Sequence, residues 1–251
     1  MTTKTIKRCL YKGDIEILFY PNSHQYRLGK ERLLSVSGIS GIIDKSTPLM
    51  IWATKMMKEE LLKIKNPNEM DIMEAQFAYS RKSEKACSIG NQVHEWAEDY
   101  VTAKIFDRNK ELILPKDINA RAGVIAFLEW DKEHDIKYLE SERLVYSKEH
   151  NFVGIFDCMA EIDGKITLID FKTSKRFYPM EMGMQTAGYQ IAYEEEIGKI
   201  DQRMIVRFDK ETGEFESHIM KNDDLEKRLF LSALELKKGE KEIKKLYKLN
   251  K

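Results

Sequence analysis

Two apolar runs joined by Asp163-Gly164 constrain the fold of this chain more than any other stretch. An Asp-Gly pair between strand-like runs is a strong signal for a two-residue type I′ hairpin turn, which fixes the register of both strands. In that register Asp157 lies directly opposite Asp170, and Lys172 follows two residues along on the same face. The sequence therefore predicts a hairpin with a row of charges near one end.

The charged row requires compensation, because like charges directly opposite one another destabilise a sheet. Hard divalent cations prefer oxygen ligands and are suited to bind between two such carboxylates. The alternative is that Asp157, Asp170 and Lys172 form a structural ion pair at the end of the sheet. The other face of the hairpin is predicted to be plain core, made of two cross-strand pairs: Phe156 with Phe171 and Cys158 with Ile169.

Two predicted helices carry polar side chains four residues apart, which places them on one helical face. His94 and Glu98 form the first pair, and Gln185 and Tyr189 form the second. Each pair alone is more typical of ordinary packing than of a site, and no second histidine follows at the spacing of a zinc-protease helix. Their combination with the charged row indicates a functional site.

In this order and spacing the motifs resemble those of the RecB-like nucleases of the PD-(D/E)xK superfamily, and most of all its phage-type exonucleases. That family combines a G-x-x-x-H helix, a G-x-x-D strand, an apolar D-x-K-T strand and a helix with Q-x-x-x-Y. The likeness covers about residues 85–210, and residues 25–53 are more loosely similar to the leader region of such nucleases. The matching positions are Gly90, His94, Gly154, Asp157, Asp170, Lys172, Thr173, Gln185 and Tyr189.

The resemblance implies an α/β (α+β) fold, with a restriction-endonuclease-like core in which helices flank a central mixed β-sheet. We expect residues 1–80 to form an N-terminal β-ribbon and helical extension, and residues 81–251 to form the core with a C-terminal helix. Hydrophobic periodicity agrees with this order of elements. It predicts a ribbon over 12–36, strands over 136–147, 152–162, 165–173, 202–208 and 215–220, and helices over 46–62, about 70–101, 117–134, 179–197 and from 223 onward.

Composition sets further limits on function. No apolar run approaches the roughly 20 residues that span a bilayer, and the N-terminus lacks a signal-peptide core. We therefore expect a cytoplasmic protein of a bacterial or phage-infected cell, without membrane association. Cys9, Cys87 and Cys158 are scattered, which argues against disulfides and zinc. Some relatives hold an iron–sulfur cluster through C-terminal cysteines, which this chain lacks, so no cluster is expected.

Positive charge is unevenly distributed, although 42 basic residues balance 42 acidic ones. A nucleic-acid-binding face needs local positive potential rather than a basic chain. The segment 237–251 is rich in lysine and forms either a solvated helix end or a phosphate contact. Lys175 and Arg176 are better phosphate-binding candidates, because the hairpin delivers them near the charged row.

The resemblance implies metal-dependent hydrolysis of phosphodiester bonds. Asp157 and Asp170, with the carbonyl of Phe171 and with His94, would hold one or two Mg²⁺ or Mn²⁺ ions. Lys172 would position or deprotonate the attacking water. Glu142 either orients Lys172 or a bound water, or is a solvent-facing strand charge. The remaining candidates are expected to contact the substrate or orient the water: Glu98, Thr173, Lys175, Arg176, Gln185 and Tyr189.

The function that the resemblance implies is a deoxyribonuclease, acting as an exonuclease on DNA ends or single strands in recombination or repair. A single-strand annealing protein or recombinase is the protein partner that a phage context implies. The alternatives are a catalytically silent DNA-binding or assembly module on the same fold, and a structure- or sequence-specific endonuclease. A further alternative is a metal-binding protein without a nucleic-acid role. Digestion polarity, single- versus double-strand preference, DNA versus RNA as substrate, and oligomeric state are left open.

Overall fold

The computed structural model describes residues 5–108 and 111–248. Its strands are β1 (Ile6–Leu10), β2 (Ile15–Tyr20), β3 (Gln25–Leu28), β4 (Glu31–Arg32), β5 (Leu34–Ser35), β6 (Ile136–Ser147), β7 (Phe152–Ile162), β8 (Lys165–Lys172), β9 (Gln202–Phe208) and β10 (Phe215–Ile219). Its helices are α1 (Val36–Ser40), α2 (Ser46–Leu61), α3 (Glu69–Ala75), α4 (Ala78–Ile105), α5 (Ile118–Glu133), α6 (Pro179–Glu196) and α7 (Asp223–Leu246).

The predicted hairpin is confirmed in both turn and register. Both turn residues have positive φ, 51° at Asp163 and 74° at Gly164, as a type I′ turn requires. β7 and β8 pair antiparallel from Ile162 opposite Lys165 to Cys158 opposite Ile169. The ladder ends there, one position before the two carboxylates.

The predicted pairing of Phe156 with Phe171 on one face is wrong. Phe156 packs beneath α6, whereas Phe171 packs on the other side of the sheet, against α5. Met159 shares the face of Phe156, so the alternation of β7 breaks between these two residues. The β6–β7 ladder skips the intervening Asp157 and its neighbour Glu142, and Glu142 has a φ of +47°. A local irregularity of this kind redirects side chains, as β-bulges do.

The main sheet forks at β7, and this fork positions the site. The strand order is β10-β9-β8-β7-β5, and β6 also pairs with β7. β5 pairs parallel with residues 152–153, and β8 pairs antiparallel with residues 158–162. Among the described residues neither strand pairs with 154–157, the segment that carries the G-x-x-D motif. The sheet is mixed, as expected, since β8 and β9 are also parallel.

Two hydrophobic cores sandwich this sheet. α4 and α5 cover one face, with Phe127 and Trp130 fully buried, and α1, α6 and α7 cover the other. Gly183 and Gly188 of α6 face α7, because a Cβ on them would lie 2.8 Å from Glu226 and 2.6 Å from Phe230 respectively. Because these two residues lack a side chain, α6 and α7 can pack closely together.

The N-terminal part differs from the prediction at both ends. The ribbon is a four-stranded sheet, β1 to β4, and β1 was not anticipated. Residues 34–36, predicted in the ribbon, instead form β5 of the main sheet and the start of α1, whose Ser35 cap accepts a hydrogen bond from the Gly38 N–H. The expected division between residues 80 and 81 falls inside α4, and that division stays a prediction. In the described ranges no helix has the length and apolar character needed to cross a membrane.

Candidate active site

The charged residues converge where β7 and β8 separate. Asp157 Oδ2 accepts a hydrogen bond of 2.6 Å from the backbone N–H of Phe171, which joins the strands just beyond the last ladder pair. His94 Nδ1, from α4, lies 3.8 Å from the same oxygen. Lys172 Nζ contacts Asp170 Oδ2 in an ion pair. The hairpin and α4 thus bring four of the predicted residues together.

Asp170 is the most deeply buried member, with only 2% of its surface exposed. Burial raises its pKa, and the nearby charge of Asp157 raises it further, while Lys172 offsets part of the rise. Burial alone would lower the pKa of Lys172, but Asp170 and Asp157 outweigh burial and the pKa is raised. Lys172 is therefore held as a cation.

Two more carboxyl groups face the same site. Burial raises the pKa of Glu142 to about 8, with further contributions from Asp157, Glu98 and Asp170. Burial also raises the pKa of Glu98, and the charges of Asp99, Glu95 and Asp157 add smaller increases. Glu142 is partly buried, and its backbone lies in the left-handed region that non-glycine residues seldom occupy. The structure thus places Glu142 beside the other carboxylates rather than in solvent.

The Q-x-x-x-Y pair of α6 lies behind Asp170. Gln185 Nε2 donates a hydrogen bond of 2.9 Å to the Tyr189 hydroxyl. Tyr189 is buried, and burial, with the charge of Asp170, raises its pKa well above its usual range. A Cβ at Gly154 would lie 2.6 Å from the Tyr189 ring and 2.8 Å from Val36. The motif glycine is therefore required so that Tyr189 can pack against β7.

The second motif glycine has a similar role. A Cβ at Gly90 would lie 2.8 Å from the Thr173 hydroxyl oxygen, so α4 packs directly on the end of β8. This contact lies on the same helix as His94, one turn earlier. Gly90 thus sets how closely α4 approaches the site, and Thr173 faces α4.

The other predicted substrate contacts lie farther out. Lys175 Nζ forms an exposed ion pair of 2.8 Å with Glu211. Arg176 is exposed, and its carbonyl accepts a hydrogen bond from Ser174. The Phe171 side chain packs in the core under α5, so only its backbone is available to the site.

Two residues near the site were not among the predicted site residues. Tyr26, from β3 of the ribbon, is buried, and burial, with the charge of Glu142, raises its pKa to about 12. Glu181, in the first turn of α6, is an anion near Lys172 and pairs with Lys45 of the segment before α2. Both are placed by contacts between segments distant in sequence.

The donor set fits a divalent cation of the Mg²⁺ class. In the described ranges no group of three or more His, Cys, Asp and Glu side chains has the arrangement of a complete metal cage. Mg²⁺ is commonly bound through one or two carboxylates and completes its coordination with water and substrate phosphates. Asp157 and Asp170 supply such a pair, and the charge of Asp157 adds to burial in raising the pKa of Asp170, which a bound cation would counteract.

A family model of the PD-(D/E)XK nuclease superfamily matches residues 69–246. The chain belongs to this superfamily. Its membership identifies a nuclease, a hydrolase of phosphodiester bonds, and nucleases of this superfamily generally use divalent metal ions.

Two solved structures are similar to this nuclease. An alkaline exonuclease (LHK-Exo) from Laribacter hongkongensis is 13% identical, with a TM-score of 0.36, over 87% of this chain and 95% of that chain. The protein SSO0001 is 14% identical, with a TM-score of 0.28, over 76% of this chain and 87% of that chain. No curated protein sequence matches the chain.

Proposed function

We propose that this nuclease is a metal-dependent deoxyribonuclease that degrades DNA from its ends. One observation carries the proposal: a lysine held as a cation beside two carboxylates at the fork of the sheet, with Lys172 against Asp170 and Asp157 alongside. A structural ion pair would be satisfied by one anion. Here the carboxylates outnumber the lysine, which favours a cation between them, and that cation would in turn attract a phosphate.

The ligands proposed for one or two Mg²⁺ or Mn²⁺ ions are Asp157, Asp170, the carbonyl of Phe171 and His94. When bound, such an ion polarises the scissile phosphate and lowers the pKa of a bound water. The chain's own residues then orient the reactants. The Phe171 N–H holds the Asp157 carboxylate in place, and the Asp170 contact does the same for Lys172.

Lys172 is proposed to position the attacking water and to stabilise charge that develops on the phosphate. Its raised pKa favours this role over proton abstraction, because a protonated ammonium is a donor only. Glu142 holds a proton near neutral pH in the metal-free protein and is proposed to accept a hydrogen bond from the water once a cation lowers its pKa. Gln185 and Tyr189 are proposed to contact the substrate backbone or to orient the attacking water.

Action on DNA ends follows from the resemblance to phage-type exonucleases, which also implies a product with a 5′-phosphate. In that setting the enzyme serves recombination or repair in the cytoplasm of a bacterial or phage-infected cell, and a single-strand annealing protein or recombinase is its proposed partner. Glu98, Thr173, Lys175 and Arg176 are proposed to line the approach of the DNA.

The test is incubation of the purified protein with end-labelled linear DNA and with a closed circle, in Mg²⁺, Mn²⁺ or EDTA. We expect metal-dependent loss of the linear DNA alone, and no loss with Lys172→Ala. Cutting of the circle at fixed positions would identify an endonuclease instead. Absence of cleavage in every metal would refute the enzymatic proposal and favour a silent binding module.

A further inference from the structure

A groove lined by cations runs between the ribbon and the C-terminal half of α7. Two adjoining cavities, of 370 and 240 Å³, share Arg32, Leu33, Leu34 and Lys241 in their walls. We call this feature the basic groove. Its cationic side chains come from β4 and α7: Arg32, Lys237, Lys238, Lys241, Lys244 and Lys245.

Much of this charge is uncompensated. Lys238 pairs with Glu235, and Lys244 pairs with Glu240. Within residues 5–108 and 111–248 no ion pair is formed by four of the cations, Arg32, Lys237, Lys241 and Lys245. The carboxylates that line the groove are half as numerous as the cations: Glu31, Glu240 and Glu242.

One cation of the groove, Arg32, also has a cationic cross-strand partner, which lines neither cavity. Arg27 of β3 lies directly opposite Arg32 of β4 in the antiparallel register. Such a pair destabilises a two-stranded contact unless an anion lies nearby. This arrangement is the positive counterpart of the carboxylate pair in the active site.

The lysines of α7 form a row rather than a scattered set. Lys237, Lys241 and Lys245 are spaced four residues apart and so lie on one helical face, spanning about 12 Å of helix axis. A nucleic-acid strand carries a phosphate about every 3.4 Å of axis in a duplex, so a row of this length can face several phosphates.

The buried Tyr26 lies between the groove and the active site. One side of this residue lines the groove beside Ser35 and Gly38, and its electrostatic neighbours on the other side are Glu142 and Tyr189. Val36 of α1, next to Ser35, packs at the Gly154 position together with Tyr189. The groove therefore adjoins the packed residues that support the carboxylates.

We infer that the basic groove binds the phosphate backbone of the nucleic-acid substrate beyond the segment held at the carboxylates. The inference rests on the proposed function for the identity of the ligand. The groove supplies affinity for longer substrates and needs no metal ion, because its cations contact the phosphates directly.

The experiment compares fluorescence anisotropy of a short and a long single-stranded oligonucleotide, in EDTA, over a range of salt concentrations. The groove variant carries three substitutions in one protein: Lys237→Gln, Lys241→Gln and Lys245→Gln. The charge-matched control is Lys132→Gln, Lys137→Gln, Lys165→Gln, whose positions lie near the hairpin end of the sheet. A Lys-to-Arg version at 237, 241 and 245 keeps the charge, and circular dichroism checks folding of all proteins.

We expect the groove variant to bind the long oligonucleotide about tenfold more weakly at low salt, with a log–log salt slope reduced by about 2 for three lost contacts. The control and the Lys-to-Arg version should bind like the natural protein, and the short oligonucleotide should be little affected. Binding of the groove variant equal to that of the control would overturn the inference. So would an equal loss in the Lys-to-Arg version, because charge would not be the cause.

The cleavage assay separates the two proposals. If the protein cleaves no substrate but its binding still depends on the three lysines, the inference about the groove stands and the nuclease mechanism is refuted. Cleavage that is unaffected by the groove variant, with unchanged binding, would refute the groove alone.

Discussion

Two groups of charges on neighbouring strands of the same sheet are built in opposite ways. On β9, the buried Arg203 forms ion pairs of 2.6 Å with Glu226 and 3.1 Å with Asp223, and donates a hydrogen bond of 3.0 Å to the Gly183 carbonyl. On β8, the buried Asp170 shares one lysine with Asp157 and faces further carboxyl groups. The first group is neutralised within the chain, and the second is not.

The difference separates a structural from a functional use of buried charge. A buried ion whose hydrogen bonds are all satisfied holds elements together, and the Arg203 group ties β9 to α6 and α7. Carboxyl groups whose pKa values are raised by burial and by one another weaken the fold unless a cation joins them. Removing the cation from the Asp170 group should therefore lower activity, whereas removing the cation from the Arg203 group should lower stability.

The largest effect is expected for Lys172→Met, which keeps the apolar stem and removes the charge. Cleavage in single-turnover assays should fall about a thousandfold, because the donor that stabilises the transition state is lost. The melting temperature should change little, since Asp170, whose pKa is already raised, takes up a proton. Unfolding of this variant would show that the ion pair is structural.

Arg203→Met should give the reverse result. The change leaves the Glu226 carboxylate without its main partner in a partly buried position, which typically costs about 3–5 kcal/mol of unfolding free energy. Urea denaturation measures this cost. The remaining folded protein should cleave at the normal rate, and a full loss of activity at unchanged stability would contradict the comparison.

The metal-free protein should lose stability as the pH rises from about 5 to 8. The pKa of Glu142 is about 8 when folded and near 4.5 when unfolded, so in this range the folded state binds more protons and rising pH favours unfolding. The loss should reach roughly 2–4 kcal/mol. Denaturation in EDTA at several pH values measures the loss, and Glu142→Gln should flatten it. A flat profile for the unchanged protein would mean that Glu142 is solvated.

Gly154→Ala should destabilise the protein by about 1–3 kcal/mol, because the added methyl group meets the Tyr189 ring and Val36. Gly239→Ala is the matched control, since nothing lies within 4 Å of its Cβ position on α7. That change should stabilise the helix by about 0.5–1 kcal/mol. Thermal unfolding distinguishes the two, and equal effects would refute the packing role of Gly154.

The smallest effect is expected for Asp157→Asn in EDTA. The change removes one charge from the carboxylate group, while the amide oxygen can still accept from the Phe171 N–H. The melting temperature should rise by a few degrees, corresponding to about 1 kcal/mol. A lower melting temperature would show that the hydrogen bond accepted by the carboxylate stabilises the fold more than its negative charge destabilises it. In Mg²⁺ the order of the two proteins should reverse.

Much of the fold was predictable because its signals are local. The Asp163-Gly164 turn set the register, and β6, β7 and β9 begin and end at the predicted residues. Pro179 marked the start of α6, where its fixed φ suits the first helical turn. These signals depend only on neighbours within a few residues, so no knowledge of the tertiary structure was needed.

The predictions that were wrong or missing involve contacts between distant segments. Phe156 and Phe171 obey strand alternation in the sequence, but the irregularity at Asp157 and Glu142 places them on opposite faces. The two-residue strand β5 has no periodicity of its own and exists because β7 offers it a free edge. Nothing local distinguishes such a strand from a loop.

The sequence by itself determined the residue types of the site and the hairpin that aligns Asp157, Asp170 and Lys172, because turn chemistry and strand periodicity act over short distances. Only the tertiary structure decided that Glu142 joins them, that Tyr26 lies between the site and the basic groove, and that Arg203 is neutralised while Asp170 is not. Burial and long-range charge set these outcomes, and both depend on how the helices and the ribbon pack around the sheet.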